Sequence, residues 1–530
     1  MIDRILEKNL NIFLILAGLV IISYVNSLWN PFIWDDKVLI PENTGIQEGW
    51  KSVVTAFSPR LWGLRADNEA FQSFYRPTHT LLSILDYQIW GLRPFGYHLS
   101  NTILHLANTI LIFFLAVKIT GERLTALLAA SIFAVHPVHT ESVTFISARP
   151  DLLAAFFMLI SFLLYASRTK GEGAANYSIR YGVSLIAFGI SLFSKEMSVT
   201  YPLLLAFYAW LVEDKGGRVK RVVPYFIILA AYILFRVSAM SEFLVNHKMR
   251  AGFFTVIQTS MVAVFDYIRL LIIPFPLHAY YDLIWYSGFS FKFLFAVLLL
   301  LIAGAGAVFL LILGKKRPAY ALIWTFLALA PVLNIGTLGD FSIAERYLYL
   351  PSIGYSILAA MAILTLRQTS ISKAVPAIVT AMLVVFIVLT AYRNHVWGDD
   401  YLFYSDMAKG APNSAIPHAN LAHAYLRRGN VQGGIEELEK TLIIAKNNYT
   451  LHNELGMVYG KAGKFADAVQ HFRTAVDLKP DYIDAYIGLG MSYMQLGNAQ
   501  YAKTAFEAAL EIDPNSEIAA AGLSRISGTK

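Results

Sequence analysis

Two adjacent carboxylates, Asp35 and Asp36, follow Trp34 just past a first hydrophobic stretch at residues 10–28. They stand near the head of a long aromatic-rich loop, residues 29–78, with Lys37 as their only neighbouring counter-charge. Carboxylates at a membrane surface are costly to dehydrate, so a retained pair points to chemistry, a general base, more than to packing. The bland alternative is a solvated loop or a helix cap. Other polar residues weigh against it. Arg149 and Asp151, Lys195 and Glu196, and Glu345 and Arg346 interrupt otherwise apolar sequence. Each could be a private ion pair. Taken together, Arg149, Lys195 and Arg346 on the side of the acidic pair describe a site for a phosphate at the membrane surface. A base, cationic phosphate binders and a membrane-embedded cavity suit sugar transfer from a lipid-phosphate donor. The base deprotonates an acceptor hydroxyl, the oxygen attacks the anomeric carbon, and the phosphate leaves stabilised by Arg and Lys. A single displacement inverts that centre.

Histidines supply the remaining candidates. His98, Asn101, His105 and Asn108 are spaced 3, 4 and 3 and form one polar stripe on an apolar helix. Hydrogen-bonding glue between helices is favoured over ligation there. His136, His139 and Glu141 have the residue types of a metal site, but a His-Pro-x-His-x-Glu run across a proline is a weak metal signal. No cofactor is required by these motifs, and a divalent metal is left open.

The elements that must position these residues are membrane helices. Of 530 residues 56% are hydrophobic and 15% charged, with mean hydropathy +0.53, which excludes an ordinary soluble enzyme. Apolar segments recur near 10–28, 79–91, 97–117, 124–138, 152–167, 181–194, 198–212, 223–240, 255–273, 291–313, 319–335, 344–366 and 374–392, giving about 11 to 13 spans. No small-residue cleavage site follows the first, so it reads as a retained helix. Basic residues cluster at Lys118/Arg123, Arg168/Lys170/Arg180, Lys215/Arg218/Lys220/Arg221, Lys315/Lys316/Arg317 and Arg367/Lys373, which places those loops in the cytoplasm. The N-terminus is then cytoplasmic, and the acidic pair and the C-terminal region lie outside. This scheme closes if 255–273 lies in the interface or is re-entrant, the favoured reading, or if one other segment is miscounted. The net charge of +7 reflects loop topology, not nucleic-acid binding, and with no Cys there is neither disulfide nor thiol chemistry.

From Ala411 a 34-residue period begins. Gly429, Gly463 and Gly497 mark it, as do Tyr425, Tyr459 and Tyr493, and Leu421, Leu455 and Leu489. Leu455-Gly456, Tyr459, Ala468, Phe472, Ala475 and Pro480 follow the tetratricopeptide pattern, with His452 at the usual Trp. The third unit repeats it, and the first is degenerate at Gly434 and Lys446. The expected organisation is a membrane domain at 1–395, a linker at 396–410, three repeats at 411–515, and a capping helix and tail at 516–530. Such arrays bind peptides or partner proteins on a concave face.

The motifs FIWDD (32–36), FYRPTHTLL (74–82), GYHLSNTILH (96–105), AVHPVHTESVTFISARPDLLA (134–154), FSKEMSVTYP (193–202) and AERYLYLPSIGY (344–355), followed by repeats, resemble the transmembrane and tetratricopeptide-repeat-containing O-mannosyltransferases of the GT-C glycosyltransferase superfamily, in a shorter, prokaryotic form. The resemblance implies an all-α GT-C-like membrane domain followed by an α-solenoid. It also implies a polyprenyl- or dolichyl-phosphate-linked sugar as donor, transfer on the extracytoplasmic side, and a protein hydroxyl as acceptor. By position, Asp35 is the expected base and Asp36 the second choice. His136, His139, Glu141, Arg149, Asp151, Lys195, Glu196, Glu345 and Arg346 are expected at the donor phosphate. No motif fixes the sugar, and mannose is the family default. The alternatives are a GT-C enzyme that modifies a lipid or polysaccharide, a non-enzymatic scaffold whose repeats recruit a partner, and, behind these, a transporter.

Overall fold

A computed structural model describes residues 8–56, 76–167, 174–213, 218–239, 251–282, 284–333 and 343–527. Trp62, Phe71, Phe74, Tyr75, Arg168, Lys170 and Lys215 lie outside the described residues. The chain divides into two compact units, Met1–Asp399 and Asp400–Lys530. Both are helical, and no strand occurs among the described residues.

In the first unit every apolar segment contains a helix: α1 (Asn9–Tyr24), α2 (Pro77–Trp90), α3 (Pro94–Thr120), α4 (Arg123–Val135), α5 (Arg149–Ala166), α6 (Ala174–Ser194), α7 (Tyr201–Leu211), α8 (Val223–Ala239), α9 (Phe253–Ile272), α10 (Phe291–Ile312), α11 (Lys316–Leu327), α12 (Pro351–Thr365) and α13 (Val375–Val396). Eight helical stretches among the described residues are long and apolar enough to cross a membrane, fewer than the 11 to 13 spans expected. The shortfall comes from α2, α4, α7, α11 and α12, which are too short to qualify.

Burial separates their roles. α10 is almost wholly apolar, yet Ala296 is its only buried residue, as expected of a helix facing lipid. α5 is the opposite: Arg149–Ala155, Met158, Leu159, Ser161, Phe162 and Tyr165 are buried, so it runs through the centre of the unit between α3 and α6. Small residues allow this closeness, since lipid tails are as apolar as leucine and helices must associate by contact. Ala126, Ala129, Ala130 and Ala134 of α4 are fully buried against neighbouring helices. A Cβ on Gly354 of α12 would sit 2.6 Å from the Ala321 carbonyl and 2.7 Å from the Thr325 amide of α11. Gly354→Ala is therefore expected to destabilise the unit by about 1–3 kcal/mol, read as a lowered unfolding temperature in detergent; an unchanged midpoint would refute the backbone contact.

α9 has spanning length and composition; it packs against α10, whose Lys292 pairs with Asp266 at 3.2 Å, and it also bonds three loops. Thr259 Oγ1 accepts from the Tyr286 amide, the Tyr267 hydroxyl accepts from the Ala344 amide, and the Leu271 carbonyl bonds His136 Nε2.

The second unit contains α14 (Asp400–Gly410), α15 (Ala415–Arg427), α16 (Val431–Ile444), α17 (Tyr449–Lys461), α18 (Phe465–Leu478), α19 (Ile483–Gln495), α20 (Ala499–Ile512) and α21 (Glu517–Ser527). The segment 396–410, expected as a linker, for the most part forms a helix. From Asp400 it is helical and buries Phe403, Tyr404, Met407 and Ala408, an apolar set that orders a short helix by packing. In each repeat the first helix ends at Gly429, Gly463 or Gly497, with φ of 76°, 75° and 75°, a left-handed turn that favours glycine. Gly456 and Gly490 let the next helix pack close, since a Cβ on either would fall 2.7 or 2.6 Å from the ring of Phe472 or Phe506.

Candidate active site

Asp35–Leu39 forms a single helical turn. Trp34, which opens it, has φ 52° and ψ −122° and is the only non-glycine residue with positive φ among the described residues. Such a conformation costs about 1–3 kcal/mol and persists only where packing enforces it. The packing here is aromatic. The indole stacks on Phe145 with centroids 5.8 Å and planes 15° apart, and its centroid lies 6.4 Å from that of Tyr280. After this twist the two carboxylates part. Asp36 is fully buried, its Oδ1 accepting from the Ser147 amide at 2.8 Å and hydroxyl at 2.5 Å, and its Oδ2 from the Ile33 amide at 3.4 Å. It ties the loop to the turn at Ile146–Ala148. Asp35 stays partly exposed and accepts no hydrogen bond among the described residues. Burial pushes its carboxyl up to about 6, against the pull of Arg346, and Glu141 adds to the rise. Burial also lifts Asp36, to about 7, opposed by its bonds from Ser147.

A cluster of charges adjoins Asp35. Arg346 pairs with the buried Glu141 through its guanidinium, and its amide donates to the same carboxylate at 2.9 Å. Lys195 donates to both oxygens of Asp151, at 2.7 and 2.6 Å, with both side chains 2% exposed. Its ammonium lies 4.9 Å from the centre of the Tyr347 ring. Arg76 binds Glu196 at 2.9 Å, and Arg236 approaches the same carboxylate at 3.7 Å. Burial would raise the Glu196 carboxyl, but Arg76, Arg236 and Lys195 outweigh it and hold it at about 2. Arg76 and Arg346 both act on Lys195, so these pairs form one electrostatic unit. Arg346, Arg76 and Arg236 are 18%, 16% and 28% exposed, whereas Glu141, Asp151 and Lys195 lie behind them.

The sequence folds this way locally because four helices begin here. Arg76 immediately precedes α2, Asp151 lies in the first turn of α5, Lys195 and Glu196 precede α7, and Glu345 and Arg346 precede α12. Each of these helices carries proline at its first or second position, which needs no amide partner and fixes the helix start. The positive ends of their backbone dipoles add to the side-chain cations, an arrangement suited to an anion.

The other expected residues are placed differently. Arg149, grouped beforehand with Lys195 and Arg346, is fully buried elsewhere: it pairs with Asp86 at 2.7 Å and donates to Asn101 Oδ1 at 2.7 Å and the Tyr97 carbonyl at 3.0 Å. Glu345 accepts from the Tyr281 hydroxyl at 2.8 Å and lies 3.6 Å from Arg393. His136 bonds the Leu271 carbonyl and the Val138 amide, and His139 bonds the Phe133 carbonyl and the Ser352 hydroxyl. Those ring nitrogens are already engaged with protein, and no group of three or more metal-ligating side chains occurs among the described residues. Along α3, His98 meets the Asn30 carbonyl, Asn101 the Val143 carbonyl, His105 the Tyr349 hydroxyl, and Asn108 the Leu152 carbonyl. Asn108 also donates to the Tyr349 hydroxyl at 3.1 Å, and together the four tie α3 to several other segments, the behaviour of interhelical glue. Arg76 and Arg236 were not singled out from sequence. Arg76 sits inside a quoted motif, and Arg236 is an ionisable residue within an apolar segment, itself a signal of function.

Comparison with known proteins agrees with the resemblance read from the motifs. Residues 73–240 match the family model described as dolichyl-phosphate-mannose-protein mannosyltransferase, and residues 461–526 match a tetratricopeptide repeat model. The first match includes Arg76, Glu141, Asp151, Lys195, Glu196 and Arg236, while Asp35 and Arg346 lie beyond it. Protein O-mannosyl-transferase TMTC3 of Homo sapiens is 25% identical over 523 residues, covering 90% of this chain and 56% of that protein. Protein O-mannosyl-transferase F38B6.6 of Caenorhabditis elegans is 26% identical over 498 residues, covering 90% and 64%. Protein O-mannosyl-transferase TMTC2 of Mus musculus is 32% identical over 215 residues, covering 40% and 25%. The chain thus spans 56% of the length of the human TMTC3 it matches. It is a multi-pass, all-α membrane protein with a tetratricopeptide-type C-terminal unit, and it is similar to protein O-mannosyl-transferases over nine-tenths of its own length.

Proposed function

We propose that this chain is a membrane glycosyltransferase that moves a sugar from a polyprenyl- or dolichyl-phosphate carrier to a hydroxyl of a protein. Mannose is the sugar that the names of its relatives suggest. One observation carries the reading: a partly exposed carboxylate without a hydrogen-bond partner among the described residues, Asp35, adjoins the outward-facing cation Arg346 where four helices begin. Asp35 takes the proton of the acceptor hydroxyl, whose oxygen attacks the anomeric carbon. The bond to phosphate breaks, and its electron pair leaves on a phosphate neutralised by Arg346 and Arg76, with the Lys195–Asp151 pair and Glu196 setting their positions. One displacement inverts the sugar. Asp36, with its acceptors engaged by Ser147, shapes the loop.

Topology supports transfer on the extracytoplasmic side. With α9 lying in the interface and the short α2 not crossing, the basic loops at Lys118/Arg123, Lys315–Arg317 and Arg367/Lys373 fall in the cytoplasm. The acidic loop and the repeats are then outside, where the repeats engage the acceptor polypeptide.

The test is transfer in proteoliposomes from radiolabelled polyprenyl-phosphate-mannose or polyprenyl-phosphate-glucose to a lysate of exported proteins. Label on protein is the expected result, whereas label confined to lipid or glycan would move the function to polysaccharide or lipid modification. A base held at about 6 also fixes a pH dependence. Because only the ionised carboxylate accepts a proton, kcat/KM falls as pH drops through about 6. A profile flat across that value would remove Asp35 from the role.

A further inference from the structure

We infer that the last turn of α13, with Asn394 at its centre, is the positioning element that holds the segments bearing Asp35, Glu141 and Arg346 in register. The inference rests on Asp35 being the base. Asn394 is fully buried and satisfied on every side. Its Nδ2 donates to the Ser23 carbonyl at 2.7 Å and to Asn26 Oδ1 at 2.9 Å, and its Oδ1 accepts from the Thr144 hydroxyl at 2.7 Å. Its carbonyl accepts from Asn30 Nδ2 at 2.9 Å.

Two of these bonds anchor the turn to the end of α1, and the other two end on segments that lead into the site. Asn30 lies on the approach to Trp34. Thr144 closes the short helix Thr140–Thr144 that bears Glu141. The adjacent Arg393 reaches Glu345, the neighbour of Arg346, at 3.6 Å. Trp397 packs on Phe145 with ring centroids 5.2 Å apart, and Phe145 is the face on which Trp34 stacks. A Cβ on Gly398 would fall 2.7 Å from Asn30 Oδ1, so the backbone itself closes on the loop. Apolar packing would hold helices together at less desolvation risk. A fully satisfied polar node linking separate segments instead fixes one arrangement among them. The same turn is where the chain passes into the second unit at Asp400.

Thr144 gives the cleanest test, because Thr144→Val keeps the shape and removes only the hydroxyl that Asn394 accepts. With polyprenyl-phosphate-mannose as donor, Thr144→Val is expected to lower kcat about tenfold with the donor KM within about twofold of wild type. Its acid limb should move to higher pH, because a carboxylate displaced from Arg346 loses the cation that holds its pKa down. Thr144→Ser, which keeps the hydroxyl, should restore both. Wild-type kcat and pH profile in Thr144→Val would overturn the inference, as would equal losses in Val and Ser variants that follow unfolding temperature alone. Asp35→Asn is run alongside: transfer surviving there sinks the base assignment itself, a failure distinguishable from that of the positioning role.

Discussion

Asp35→Asn is expected to reduce sugar transfer by about 10²–10⁴-fold, the usual contribution of a positioned general base, while leaving donor binding close to wild type. The substitution preserves size and removes only the ability to take a proton. Because no hydrogen bond among the described residues ends on this carboxylate, no fold-holding contact is lost with it. Asp36→Asn makes the contrast. That residue accepts from the amide and the hydroxyl of Ser147, and an amide nitrogen in place of either oxygen would face a donor. Its expected signature is a lower unfolding temperature with residual transfer in the folded fraction. Single-turnover rates and donor affinity, measured for both variants, separate the roles. Equal loss of turnover from both without loss of stability would mean that the two carboxylates act as a pair, and transfer retained by Asp35→Asn would end its candidacy.

The fold was legible in this sequence wherever a single period dominates. Long apolar runs became helices because they report removal from water, into lipid or protein, and the 34-residue spacing of Gly429, Gly463 and Gly497 became three helix pairs because it marks the turn inside each pair. α14 escaped notice because it has no repeat signature: Phe403, Tyr404 and Met407 lie among Asp400, Asp406 and Lys409, and their burial depends on packing partners. The site was legible as a set of residue types but not as a set of pairs. Sequence placed Arg149 beside Lys195 and Arg346 because all three adjoin the same side of the membrane. Its partner Asp86 belongs to α2, a segment that offered no reason to be joined to it. Arg76 and Arg236 converge on Glu196 from two other helices, which only the tertiary fold reveals. The acidic pair stood out in the sequence as two residues, yet not as one inward and one outward. That distinction comes from the positive φ of Trp34, a backbone state that the identity of tryptophan argues against and the stack on Phe145 imposes.

Lys195→Met is expected to destabilise the first unit by about 3–5 kcal/mol, because it leaves Asp151 buried without its counter-charge. Both oxygens of that carboxylate are held by the ammonium, and both side chains are almost fully enclosed. The cost arises from the orphaned charge more than from the lost attraction, so removing the partner as well should relieve it. Asp151→Leu combined with Lys195→Met is therefore expected to recover most of the unfolding temperature, as buried pairs replaced by apolar residues of similar volume generally do. The double variant also reads the chemistry. Because Lys195 and Asp151 are neutral as a unit, deleting both leaves the field from Arg76 and Arg346 nearly unchanged, and the donor KM should stay near wild type. A stable double variant with a strongly raised donor KM would instead put the Lys195 ammonium on the donor phosphate. A double variant as unstable as Lys195→Met would show that the pair holds α5 to the turn before α7 by a geometry that apolar side chains cannot supply.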